Sequence, residues 1–240
     1  MSLALKLVLA PVLVTQAVQT RRRAPVLPEP EGPRRGRLGH GGVALRVLIA
    51  GDSSAAGVGV AHQDQALAGH LSRALHQQAG RPVHWSLHAK SGLTTREVHE
   101  LLRRQPTPRA EVAVVVTGVN DVIDLVPPSR ALKQRAALAD WLLAERGVTH
   151  VVFAPLPPVH RFPLLPQPLK RVMGDDARRH DDAVARWAAT RRDVSHVPIR
   201  FELGPEAMAA DGFHPGEPVY RACGEALAAH IATLQKEHTR

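Results

Sequence analysis

A chain of 240 residues, 44% of them hydrophobic and 22% charged, suits one α/β domain with a sizeable core better than two domains. Aromatic residues make up 3%, so that core must be built from Ala, Val and Leu; the single cysteine, Cys223, excludes an intrachain disulfide framework. The formal net charge of +9 comes largely from Arg scattered along the chain and not interleaved with aromatics, which argues for a solvated basic surface and against stacking on nucleic-acid bases.

The N-terminus stands apart. Leu3 to Val18 is mostly apolar and is followed by Arg21, Arg22 and Arg23, whereas a signal peptide places its charge before the apolar run. The run is short for a bilayer span and is interrupted by Lys6, Pro11 and Gln16. Met1–Thr20 is expected to form a helix, with two readings of its role. It packs on the domain or a second subunit, or it makes a peripheral contact with a membrane surface, apolar side chains followed by a basic cluster. The second reading implies a cytoplasmic domain held loosely at the inner membrane surface, because positive charge after an apolar stretch favours that side. Ala24 to Gly42 is rich in Pro, Gly and Arg and reads as an extended linker, which divides the chain into an N-terminal segment, 1–42, and a folded domain, 43–240.

From there the pattern alternates. Short apolar runs at Leu45–Ala50, Val83–Leu87, Val112–Thr117, His150–Pro155 and Val194–Ile199 read as strands buried on both faces. Helical segments are expected at His62–Gln78, Thr94–Arg104, Ser129–Arg146, Asp175–Arg191 and Glu217–Gln235. Strand-helix alternation implies a parallel sheet between two helical layers, an α/β/α sandwich, with ligands bound at the carboxyl ends of the strands.

Chemistry-bearing residues fall at those ends. Gly51-Asp52-Ser53-Ser54 follows the first strand, where a serine can project from a sharp turn. Gly57 and Gly59 lie nearby, but the dinucleotide fingerprint needs a third glycine and an acidic residue after the next strand, and His88-Ala89-Lys90 stands there instead. No nucleotide cofactor is therefore expected, nor a metal. Gly92 follows the second strand and can turn a backbone N–H toward a site. Asn120, in Gly118-Val119-Asn120-Asp121 after the third strand, offers a side-chain amide to a developing oxyanion. Asp211 and His214, three apart before the last helix, can fold so that the carboxylate orients the imidazole toward a nucleophile. His70, His76 and His99 fall on helical segments and read as surface or satisfied residues.

Each of these signals alone describes an ordinary polar turn. In this order they resemble the SGNH hydrolase superfamily (GDSL-like esterases and lipases), which takes its name from a Ser, a Gly, an Asn and a His in successive blocks. The resemblance spans Leu45 to the C-terminus, with Ser54 where the family's Gly-Asp-Ser-Leu has Leu. It implies a flavodoxin-like five-stranded parallel sheet, and a serine esterase without cofactor or metal. It also implies the roles: Ser53 as nucleophile, His214 as its base, Asp211 as the orienting carboxylate, and an oxyanion hole from the N–H groups of Ser53 and Gly92 and the Asn120 amide.

The implied substrate is a small-molecule acyl ester. Two apolar loops, Val122–Pro128 with Ile123, Leu125 and Val126, and Leu156–Gly174 with Phe162, Leu164 and Leu165, are expected to shape its site. An acyltransferase with the same residues and a non-catalytic binding module with the same fold are the competing classes.

Overall fold

The computed structural model describes residues 3–200 and 204–237. In chain order its helices are α1 (Leu3–Arg23), α2 (Ser53–Ala56), α3 (Leu67–Ala79), α4 (Thr95–Arg104), α5 (Val119–Ile123), α6 (Pro128–Glu145), α7 (Leu169–Ala188) and α8 (Glu217–Glu237). The strands are β1 (Arg35–Leu38), β2 (Leu45–Gly51), β3 (Val83–Ala89), β4 (Val112–Val116), β5 (His150–Phe153) and β6 (Val194–His196).

They form one six-stranded sheet in the order β1-β3-β2-β4-β5-β6. Strands β2 to β6 pair in parallel, and renumbered among themselves they run 2-1-3-4-5, the flavodoxin-like order. The sixth strand, β1, was not expected. Arg35–Leu38 lies inside the Pro/Gly/Arg-rich stretch and pairs antiparallel with β3. Four residues with two arginines carry no apolar alternation, so the strand has no signature of its own and forms because the edge of β3 offers unpaired backbone groups.

Period-2 alternation splits the strands between two cores. Val47 and Ile49 of β2 and Val112 and Val114 of β4 meet Leu71 and Leu75 of α3 and Leu227 and Ile231 of α8. Leu48 and Ala50, with Ala113 and Val115, meet Leu102 of α4, Leu138 and Leu142 of α6 and Val184 of α7 on the opposite face. Most of these side chains are fully buried, and truncating one such Leu or Ile to Ala would cost about 2–5 kcal/mol. A third cluster, Val122, Leu156, Val159, Phe162, Leu165 and Leu169, lies under the loops at the carboxyl ends of β4 and β5.

Helix α1 runs through the arginine cluster to Arg23; Met1 and Ser2 of the expected helix lie outside the described residues. Leu13 packs against the third cluster. Gln16 grips the start of α7, its Nε2 donating to the Gln167 carbonyl (2.6 Å) and its Oε1 accepting from Leu169 N (3.1 Å). Leu7, Val8, Val12, Val14 and Val18 remain exposed. Among the described residues no helix is long and apolar enough to cross a membrane.

Candidate active site

Strand β2 delivers Ser53. Strand β2 ends at Gly51, where a Cβ would overlap the Val116 carbonyl of β4, so only glycine lets the chain leave the sheet this tightly. Asp52 then caps α2, accepting from Ser54 N at 3.0 Å, and Ser53 stands at the first position of that four-residue helix. Gly59, at φ +112°, lies against Pro215; a side chain there would strike the Pro215 carbonyl and push the His214 loop away from Ser53. Gly59, set aside in the sequence as part of a dinucleotide fingerprint, thus serves the approach of two loops. Tyr220 on α8 adds a tie, its hydroxyl donating to the Val58 carbonyl (2.6 Å).

The last loop delivers His214. Asp211 Oδ1 accepts from the backbone N–H of both Phe213 and His214 (2.9 Å each), and Oδ2 accepts from His214 Nδ1 at 2.6 Å. The Ser53 hydroxyl donates to His214 Nε2 at 3.0 Å across 161 residues of sequence. Asp211 is buried, and burial pushes its carboxyl up. The His214 ring and the His214 and Phe213 amides outweigh that and hold it below the usual carboxylate range.

Asn120 sits on α5, directly after β4, and its Nδ2 donates to the Leu93 carbonyl at 3.0 Å, joining it to the loop that carries Gly92. Gly92, at φ +82°, occupies the turn between β3 and α4. That turn is fixed by a capping box in which Thr94 N donates to Glu97 and Glu97 N to Thr94 Oγ1. Ser53, Asn120 and His214 line one inner pocket of about 70 Å³. Gly92 does not line it; it borders a larger cleft of about 500 Å³, which Asn120 and Phe213 share with the pocket.

Of the loop residues expected around a substrate, Phe162 lines the inner pocket and stacks edge-to-face on Phe213, whose ring in turn meets His214. Ile123, Leu164 and Leu165 line the cleft, while Leu125 points to solvent. Cys223 also borders the inner pocket, and burial pushes its thiol up to about 12, leaving it an apolar wall rather than a nucleophile. Among the described residues no group of three or more His, Cys, Asp or Glu could hold a metal ion.

Several contributors carried no sequence signal. Glu29, in the stretch read as linker, accepts from Ser91 N (2.8 Å) and Ser91 Oγ (3.0 Å) and pairs with Arg34 (2.7 Å), pinning that stretch to the Gly92 turn. Arg135 of α6, one arginine among many, is buried and reaches Asp121 Oδ2 at 3.1 Å and the Thr117 carbonyl at 3.3 Å. Asp121 also accepts from Thr95 N (3.0 Å) and Thr95 Oγ1 (2.6 Å), so the residue next to Asn120 is bound to both α4 and α6. An isolated buried cation is visible in sequence only through its partner, and no pattern links position 135 to 121.

The chain is 29% identical over 195 residues to the GDSL-like esterase Rv1075c of Mycobacterium tuberculosis, an alignment covering 76% of this chain. The chain spans 60% of the length of that relative. In fold it is similar to the lipase Lip_vut3 from a goat rumen metagenome, with a TM-score of 0.62, 20% identity, and coverage of 78% of this chain and 97% of that one. It is also similar to the family 3 carbohydrate esterase of Clostridium thermocellum, with a TM-score of 0.61, 15% identity, and coverage of 80% and 99%. The profile of the GDSL-like Lipase/Acylhydrolase family matches residues 49–222, a span that holds Ser53, Gly92, Asn120, Asp211 and His214, and the chain belongs to that family.

Proposed function

We propose that the chain is a serine carboxylic ester hydrolase acting on small-molecule acyl esters through Ser53, His214 and Asp211. The observation that carries this reading is the continuous hydrogen-bonded line from Ser53 Oγ through the His214 ring to Asp211. A serine hydroxyl is a weak nucleophile, and an imidazole in contact can take its proton as the bond to the ester carbonyl forms. Asp211 fixes the tautomer with the proton on Nδ1 and stabilises the imidazolium. The oxyanion is assigned to the N–H groups of Ser53 and Gly92 and to the Asn120 amide. One Asn120 N–H is used on Leu93, which leaves the other to donate. His214 returns the proton to the leaving alcohol, and water activated by the same imidazole releases the acyl group from Ser53.

Labelling with a fluorophosphonate probe tests the reading. The wild-type chain should be labelled at Ser53 and should hydrolyse a short p-nitrophenyl ester, and Ser53→Ala and His214→Ala should each abolish nearly all turnover. Substantial turnover by Ser53→Ala would remove the assignment; an unlabelled, inactive wild-type chain would favour a binding module.

The apolar walls favour short or medium acyl esters over acetylated polysaccharide, since Phe162 and Phe213 are the aromatic side chains at the inner pocket apart from Tyr220. A chain-length series set against acetylated xylan checks this. The existence of a second cavity bordering Asn120 favours transfer of the acyl group to an alcohol as the alternative, and a new ester product on adding an alcohol acceptor would support it.

The exposed Leu7, Val8, Val12 and Val14 and the basic end of α1 also support loose attachment to an anionic membrane surface on the cytoplasmic side. Removing residues before Val43 would strip β1 and Glu29 from the domain, so the cleaner test replaces Leu7, Val8 and Val12 with Ser in the full chain. Sedimentation with anionic liposomes should fall in that variant; equal sedimentation, or none by either form, defeats the attachment.

A further inference from the structure

The inner pocket that holds Ser53 and His214 has room for little more than a small group, whereas the cleft beyond Asn120 and Phe213 is several times larger. One wall of that cleft is α1, through Ala17 and Val18; Ile123 of α5, Leu165, and Leu169 and Met173 of α7 supply apolar surface across from it. The helix is not loosely draped there. Gln16, one residue before Ala17, makes two hydrogen bonds to the start of α7, and Leu13, one turn earlier, packs into the apolar cluster beneath the loops.

We propose that this cleft is the acyl-chain subsite and that α1 is thereby a specificity-determining wall of the site. The proposal rests on the Ser53–His214 reading and adds a direction to it. The leaving oxygen must reach His214 Nε2 to take up a proton, so the alcohol side of the ester stays with His214, which borders the inner pocket and not the cleft. The cleft lies on the side of Gly92 and Asn120, where the oxyanion is assigned. An acyl chain directed away from the leaving group passes Asn120 and Phe213 and meets the apolar wall between α1 and α7. Each methylene that displaces water from this wall strengthens transition-state binding for as long as the chain still reaches α1. A medium-chain acyl ester of a small alcohol is therefore the substrate class. With the cleft taken by the acyl chain, an acceptor alcohol has no separate pocket, which sets this assignment against the transferase alternative.

The test is the kcat/KM of the full chain on p-nitrophenyl octanoate relative to p-nitrophenyl acetate. Wild type should favour the octanoate by about tenfold or more. Ala17→Trp and Ile123→Trp, on opposite walls of the cleft, should each lower the octanoate-to-acetate ratio by about tenfold. Gln19→Ala, exposed on α1 and not lining the cleft, should leave the ratio unchanged. An unchanged ratio in both Trp variants, with Ser53 still labelled by the fluorophosphonate, overturns the subsite and leaves the hydrolase reading standing. An equal change in Gln19→Ala overturns it as well. Variants that slow octyl acetate but not p-nitrophenyl octanoate would place the alcohol in the cleft and reverse the assignment. A wild-type chain that turns over no ester and takes no label removes the catalytic reading and the subsite together.

Discussion

Asp52 and Asn120 flank the proposed nucleophile in different ways. Asn120 has one amide N–H committed to Leu93, and loss of the other as an oxyanion donor should lower kcat by roughly a hundredfold or more in Asn120→Ala, with a smaller effect on KM. Equal losses in kcat and 1/KM, or none, would argue that the amide serves the loop alone. Asp211→Asn should harm turnover less than His214→Ala, because the carboxylate orients and does not react; a larger loss would reverse that ranking. Asp52 is 2% exposed, and burial raises its carboxyl to about 7 against the opposing hydrogen bond from Ser54 N. The unfolded value is about 3.9, so between these limits the folded state holds the proton more tightly and stability falls as pH rises. The cost of the buried carboxylate is complete above about pH 7 and absent below about pH 4. Asp52→Asn keeps an oxygen for Ser54 N and carries no charge. It should therefore raise the melting temperature at pH 8 and gain less at pH 5. An equal gain at both pH values would mean that ionisation of Asp52 is not the cause.

The elements that carry the site are the ones the sequence could not declare. Helices α2 and α5 have four and five residues, too few for a 3.6-residue period to repeat, so Ser53 and Asn120 were legible as turns at strand ends and not as helical starts. Their positions were still readable, because strand ends are set by the Val- and Ile-rich runs before them. The long helices showed the opposite. α7 begins at Leu169, six residues before the expected Asp175, because Gln16 of α1 supplies a partner for Leu169 N that no local pattern announces. Helix α5 depends on such distant support. Arg135 holds Asp121 in a buried pair, and replacing one member strands the other. Arg135→Met should cost about 3–5 kcal/mol in urea unfolding. The double change Arg135→Met with Asp121→Leu should recover only part of it, because the buried Thr95 N–H then loses its acceptor. A cost below 1 kcal/mol for the single change would show that water or another group takes over the carboxylate.

At the scale of the whole molecule, the parallel order was legible because the central strands β2, β4 and β5 are buried on both faces and each crossover carries a helix. What was missed lies at the margins, where pairing is decided by an available edge rather than by a pattern. Among the described residues the sheet ends on one side in β6, only three residues long. On the other it would end in β3, seven residues without a proline, if β1 were not laid against it. Arg35 and Arg37 sit on that added strand, so the surface presented to a neighbouring molecule is short and cationic. The consequence concerns colloidal behaviour more than chemistry. A chain shortened to begin at Val43 would present Val83–Ala89 as a bare template for strand pairing between molecules. Such a chain should scatter light increasingly with concentration and time, while the full-length chain stays clear at the same concentration.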